Sequence, residues 1–270
     1  MKNKVGWLLC MAFLCVVLAG VVASRIESRD QIILGGSEGT FVQTDTYAYP
    51  VAEVTPEPKE GDDGWPVIDI TEAQYRMVND DTEFLLPSSF EPVCGVVDGT
   101  KFMMFDVDAL PYLNAMLHAA EEAGYTPYIA AAYRTYSYQT QMFNAMASAL
   151  SGNMDYMDPR YKEFAEQAKK RVMYPGSSEH QLGLAVDIWD RQRNQNPGYE
   201  NMNQEFYTWL DENCAKYGFI KRYPTRKLLL TGWDEPWHYR YVGAVAASYI
   251  MEHGICYEEF YKHYMPEFKY

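Results

Sequence analysis

Two short stretches hold residues whose types and spacing could do chemistry. Ser177-Ser178-Glu179-His180-Gln181-Leu182-Gly183-Leu184-Ala185-Val186-Asp187 contains a histidine and an aspartate, and Glu235-Pro236-Trp237-His238 follows later in the chain. Two histidines and an aspartate are ordinary ligands of Zn²⁺, and three such ligands leave a coordination position for water. A carboxylate beside that water but outside the ligand set can take its proton. Glu235 suits that part if the segment across Pro236 turns tightly. A strand aspartate also serves to pair a surface cation, and a histidine to make a structural hydrogen bond. Spacing alone leaves those readings open, because the pattern is not a widespread short signature.

For the three ligands to meet, Asp187 and His238 must sit on neighbouring strands with side chains on one face. His180 must then close the third corner from the loop before Asp187. Gly183 to Ile188, small and β-branched, reads as one strand, and Trp237 to Val242 as another. Tyr128 to Ala132 is a third, shorter one. Thr71 is an expected N-cap for a short helix through about Val78. Asp108 is the expected cap of a helix with Leu110, Leu113, Leu117 and Ala120 at helical spacing, closed by Gly124. Tyr136 to about Leu150, Pro159 to Val172, Glu205 to Tyr217 and Ala244 to His253 also read as helices, the last two stopped by Gly218 and Gly254. Helices that precede and separate a few short strands predict an α+β fold, a small antiparallel sheet flanked by helices.

The chain has 270 residues, enough for one catalytic domain with appendages, and 48% of them are hydrophobic. Its net charge of −14 makes nucleic acid an unsuitable partner. Val5 to Ala23 is an unbroken apolar run after Lys2 and Lys4. As a helix it would span about 28 Å, close to a bilayer core. It reads as a membrane anchor, or as a signal peptide cut after Val21-Val22-Ala23. Residues 24–64, rich in Glu, Asp, Thr, Gly and Pro, read as a tether of about 35 Å typical span, and 65–270 as the catalytic domain. The expected location is extracytoplasmic. Cys10 and Cys15 lie inside the apolar run. Of Cys94, Cys214 and Cys256, the last two could be bridged, although Cys214 on the apolar side of a helix with Phe206 and Leu210 reads more simply as a buried thiol.

Ser178-x-His180-x6-Asp187 followed by Glu235-x-x-His238 resembles the VanY-type D-alanyl-D-alanine carboxypeptidases, zinc peptidases of bacterial peptidoglycan. Tyr133-Arg134-Thr135 ahead of Gln139, Gly183 to Ile188, and Trp237-His238-Tyr239-Arg240-Tyr241-Val242-Gly243 match in the same order. The resemblance runs from about Phe84 to the C-terminus. It implies the sheet-and-helix fold shared by D,D-peptidases and Hedgehog domains. It implies one zinc ion on His180, Asp187 and His238, Glu235 as general base, and Arg134 stabilising the oxyanion. Ser178, Gln139 and Trp237 would shape the pocket for the end of a peptidoglycan stem peptide, with the enzyme working as a monomer. Thr135 stands where the family usually has serine, which keeps the hydroxyl.

Other readings compete. Gly35-Gly36-Ser37-Glu38-Gly39 fits the nucleophile-elbow pattern, but an acidic, Thr-rich stretch follows it instead of a helix. Ser-x-x-Lys and His-Glu-x-x-His are both absent from the chain, which argues against an acyl-enzyme route and against a zincin. An L,D-carboxypeptidase acting on tetrapeptide stems would use the same motifs. A wall-binding module with a structural zinc would have no use for Glu235. His118, His253 and His263 read as solvated or hydrogen-bonded.

Overall fold

The computed structural model describes residues 59–155, 157–191 and 202–269. The apolar run at 5–23 and the Gly-x-Ser-x-Gly stretch lie outside the described residues, as does most of 24–64. Among the described residues no helix is long and apolar enough to cross a membrane.

Cys94–Val96 (β1) pairs with Met104–Asp106 (β2) in a two-stranded antiparallel sheet. Leu110–Glu122 (α1) follows. Its start is held by Asp106, whose Oδ1 accepts from the backbone N–H groups of Asp108 and Ala109 at 3.0 and 3.3 Å. The cap expected at Asp108 is therefore supplied by Asp106. Thr71 likewise caps no full helix. Its N–H and hydroxyl both go to Asp69 Oδ1, and the helix shrinks to a 3₁₀ turn at Ala73–Tyr75. Pro127–Ala131 (β3) leads into Tyr136–Ser151 (α2), where Thr135 is a true N-cap accepting from the Tyr138 N–H at 3.1 Å. Tyr161–Ala168 (α3) is shorter than the Pro159–Val172 helix expected.

Ala185–Asp190 (β4) precedes Gln204–Asn213 (α4), which runs on as a 3₁₀ turn, Cys214–Tyr217, to Gly218. Phe219–Tyr223 (β5), Leu228–Thr231 (α5), Glu235–Tyr241 (β6), Ala244–His253 (α6) and Tyr257–Tyr264 (α7) complete the chain. Gly218 turns at φ 79, and a Cβ there would stand 2.7 Å from the Tyr241 ring, so glycine is required on both counts.

The second sheet runs β3-β4-β6-β5, antiparallel throughout. Alternation sorts its side chains onto two faces. Val186, Ile188, Tyr239, Tyr241 and Phe219 join Leu113 and Met116 of α1 and Phe206 and Leu210 of α4 in one core. Ile220 faces the other way, into a core with Ala246, Ala247 and Ile250 of α6 and Tyr257 and Phe260 of α7. Each fully buried large apolar side chain contributes about 1.5–3 kcal/mol. Helices thus cover both faces of β5, and the apolar residues of β4 and β6 pack into the first core. Cys94, Cys214 and Cys256 are all free thiols, so no Cys214–Cys256 bridge forms.

Candidate functional site

The register places Asp187 directly opposite His238, and Ala185 opposite Arg240. These four sit on the face away from Val186, Ile188 and Tyr239. One face of β4 and β6 is therefore apolar core, and the other carries the chemistry.

His180 arrives from a 3₁₀ turn, Glu179–Leu182, that ends at Gly183 with φ 75. A Cβ at Gly183 would lie 3.0 Å from Cys94 Sγ and 3.4 Å from the Asp106 N–H, so the turn packs hard against β1 and β2. The Arg134 N–H donates to the His180 carbonyl at 3.0 Å, which ties this turn to the end of β3. His180 Nδ1 lies 2.8 Å from the Ala132 carbonyl. A proton on that nitrogen makes the hydrogen bond and leaves the Nε2 lone pair free.

His180 Nε2 is 3.4 Å from Asp187 Oδ1, and His238 Nδ1 is 3.0 Å from the same oxygen. Ligand atoms of the three residues all lie within 4.8 Å of one another. Zinc–nitrogen bonds of about 2.0–2.1 Å put tetrahedral ligand atoms about 3.3 Å apart. The donor set, its spacing and its burial therefore fit one zinc ion with a position to spare.

Burial, followed by the charge of Arg134, lowers His180 to about 4 and keeps it neutral, as a ligand must be. Burial would raise the Asp187 carboxyl, but the His180 and His238 imidazoles beside it hold it below the usual carboxylate range. Burial would lower His238, and the Asp187 and Glu179 carboxylates beside it instead raise it to about 9, so a metal ion binding at Nδ1 would displace a proton there.

Glu235, expected in a tight turn, is instead the first residue of β6. In a regular strand, residues three apart face opposite ways. Here Lys221 pairs with Tyr239 and Tyr223 with Glu235, so four steps on β6 match two on β5. This bulge turns the Glu235 carboxylate back to the site, with Oε2 3.7 Å from His238 Nδ1. Desolvation in the recess raises it to about 7 against the attraction of His238. Its side chain keeps 26% exposure, so part of that rise is screened.

Arg134 completes the site, Nη2 lying 3.5 Å from Asp187 Oδ2 and Nη1 3.5 Å from Gln139 Oε1. Gln139 and Ser178 are almost without surface, at 0% and 1% exposure. Gln139 donates to the Met173 carbonyl at 2.7 Å and backs the guanidinium. Trp237 is half-buried against the main core. Sequence reasoning misses Glu179, Arg222, Arg240 and Glu258, all buried just behind His238. Their separation in the chain offers no spacing signal, although a glutamate beside a candidate ligand is visible. His118, His253 and His263 lie apart, near Glu121, the Tyr249 carbonyl and Trp65 respectively. A separate cleft of about 360 Å³ near Phe102, His118 and Tyr128 contains none of the site residues.

A buried His–Asp–His triangle beneath an unligated glutamate and an arginine is the layout of mononuclear metal hydrolases. The chain belongs to the VanY D-alanyl-D-alanine carboxypeptidase family, whose model matches residues 103–244. A D-alanyl-D-alanine carboxypeptidase of Enterococcus faecalis is 40% identical over 156 residues, 57% of this chain and 54% of that protein. The matched stretch thus spans about half the length of that relative. Among solved structures, a mutant of the vancomycin-resistance D,D-pentapeptidase VanY from a VanB-type cassette, in complex with Zn(II), aligns with TM-score 0.57 and 34% identity. The alignment covers 70% of this chain and 99% of that one. The LdcB LD-carboxypeptidase aligns with TM-score 0.59 and 32% identity, covering 76% and 93%.

Proposed function

We propose that this protein is a zinc-dependent D,D-carboxypeptidase that removes the C-terminal D-Ala from peptidoglycan stem peptides. The observation that carries the reading is the convergence of His180, Asp187 and His238 with an unligated Glu235 turned back toward them by the β6 bulge. Family membership supports the substrate class.

A zinc ion held by His180, Asp187 and His238 supplies Lewis-acid polarisation of the scissile carbonyl and acidifies a water. Glu235 takes the proton of the attacking water and returns it to the amine nitrogen of the departing D-Ala. Arg134 faces the carbonyl oxygen as it gains charge. Gln139, buried behind it, holds the guanidinium in place. Ser178 and Trp237, inside the two motifs, are the residues proposed to shape the pocket for the peptide end. No side chain of the protein becomes covalently attached to the peptide, so penicillin has no nucleophile to acylate. A structural zinc in a wall-binding module would leave Glu235 without a purpose.

The apolar run at 5–23 is the proposed membrane anchor or export signal, with 24–64 as tether. That topology puts the site on the wall side of the membrane. Likeness to both a D,D- and an L,D-peptidase makes tetrapeptide stems the second substrate to test. Mass spectrometry of pentapeptide and tetrapeptide muropeptides after incubation, with and without chelator, tests the proposal. Chelator-sensitive loss of one alanine from the pentapeptide is the expected result. Loss from the tetrapeptide alone would make it an L,D-enzyme, and loss from neither would remove the proposal.

A further inference from the structure

A buried charge cluster stands behind His238. Glu179 Oε1 accepts from Arg222 Nε at 2.8 Å and lies 3.4 Å from Arg240 Nη1. Arg222 reaches Glu258 of α7 with both terminal nitrogens, at 2.7 and 3.0 Å. Arg240 Nη2 donates to the backbone carbonyls of Gln74 and Arg76, and its Nε to that of Tyr241. Two carboxylates therefore balance two guanidiniums, all on the chemistry-bearing side of the sheet. A cluster like this, read only as a buried ion-pair network, has no net reason to touch a metal ligand.

The other oxygen of Glu179 breaks that reading. Glu179 Oε2 and His238 Nε2 are both fully buried, and neither has a normal hydrogen-bond partner. They face each other at 3.5 Å. Leaving a buried polar atom unpaired is costly, so this long contact is where each finds compensation. A carboxylate can only accept, so the proton between them belongs to His238 Nε2. With a metal ion bound, Nδ1 is then the nitrogen that offers a lone pair, and Nδ1 is the atom that faces Asp187 Oδ1 at 3.0 Å. His180 shows the mirror arrangement, its Nδ1 occupied by the Ala132 carbonyl and its Nε2 free. Each histidine thus has its outer nitrogen engaged, one by a backbone carbonyl and one by a charged side chain.

We infer that Glu179 is the positioning residue of His238: held by Arg222 and Arg240 through one oxygen, it fixes the imidazole with the other and selects Nδ1 as the metal-facing atom. The inference rests on the proposed metal site of His180, Asp187 and His238. Histidine ligands are commonly oriented in this way by an outer carboxylate, and losing such a partner costs about 10–100-fold in metal affinity.

The test uses the full chain in two arms. In wild-type protein loaded with ¹¹³Cd(II) and ¹⁵N-histidine, the expected spectrum shows metal coupling at His238 Nδ1, with a slowly exchanging proton on Nε2. Coupling at Nε2 would overturn the inference and leave the metal site intact. No metal at His180 and His238 would overturn the metal site itself, and the inference with it.

The second arm measures zinc affinity by chelator competition in Glu179→Gln and Glu258→Gln, which each remove one charge from the same cluster. In Glu179→Gln the amide oxygen is drawn to the two guanidiniums and its NH₂ turns toward His238 Nε2, favouring the wrong tautomer. Affinity should fall about 10–100-fold in Glu179→Gln and stay within about threefold in Glu258→Gln. Equal losses in both variants would reduce Glu179 to one more member of a structural network. If Glu179→Gln does not fold, Glu179→Asp, which keeps the charge and draws it back from Nε2, takes its place with a loss of affinity expected and an unchanged affinity overturning the inference.

Discussion

Asp187 on β4 and His238 on β6 are direct partners in an antiparallel register, and one carboxylate oxygen of Asp187 approaches both imidazoles. A one-residue slip would turn one of them into the apolar core. The cores on the two faces of the sheet therefore hold the ligands as well as the fold. Replacing Val186 or Tyr239 would disturb the site without touching it.

Glu235→Gln should keep the metal and lose turnover. The amide retains the shape and cannot accept the proton. The expected loss is about 10²–10⁴-fold in kcat for D-Ala release, with zinc content unchanged by elemental analysis. Activity near the wild-type level would remove Glu235 from the role of base.

Arg134→Lys should also spare the metal. Lysine keeps the charge but loses the fork that spans Asp187 and Gln139. A fall of about 10²–10³-fold in kcat, larger than the change in KM, is expected if the guanidinium acts on developing charge. A change confined to KM would assign Arg134 to ground-state binding of the terminal carboxylate.

Much of the site is legible in the amino-acid sequence. Asp187 lies in a run of small and β-branched residues and His238 in an aromatic one, and strand alternation fixes which of their side chains share a face, while His180 is marked by its place in the turn before Asp187. The position of Glu235 is not legible, because a bulge leaves no mark when only one strand is read. β5 escapes a sequence reading since both of its faces are covered and Phe219–Tyr223 shows no alternation. β1 and β2 span three residues each, too few to show a period. The partners of Glu179 come from two distant strands, β5 and β6, and meet it only through the tertiary fold.

The C-terminal helix α7 offers a stability test. Glu259 accepts from the Cys256 N–H at 2.8 Å and from Lys227 Nζ at 2.8 Å. Burial opposes its charge, and these hydrogen bonds overcome that and lower its pKa. The stabilisation is therefore present above the ordinary carboxylate range and fades as pH falls through the lowered value. Glu259→Ala should cost about 1 kcal/mol at neutral pH by chemical denaturation, and less at about pH 3. A cost that does not shrink with acid would assign the effect to packing.

The thiols provide a covalent check. Burial pushes Cys94 and Cys256 up to about 12, and Cys214 higher still. Native protein at about pH 8 should alkylate slowly at all three. Denatured, unreduced protein should alkylate at each of them, as read by peptide mass. A disulfide-linked Cys214–Cys256 peptide would contradict the structure.

The most direct test of the central claim is a zinc titration of chelated protein, following D-Ala release from a pentapeptide stem. No release is expected without metal, recovery should break at one equivalent, and Asp187→Ala should not recover. Full release after chelation, or unchanged recovery in Asp187→Ala, would rule out a zinc ion on His180, Asp187 and His238 as the catalytic centre.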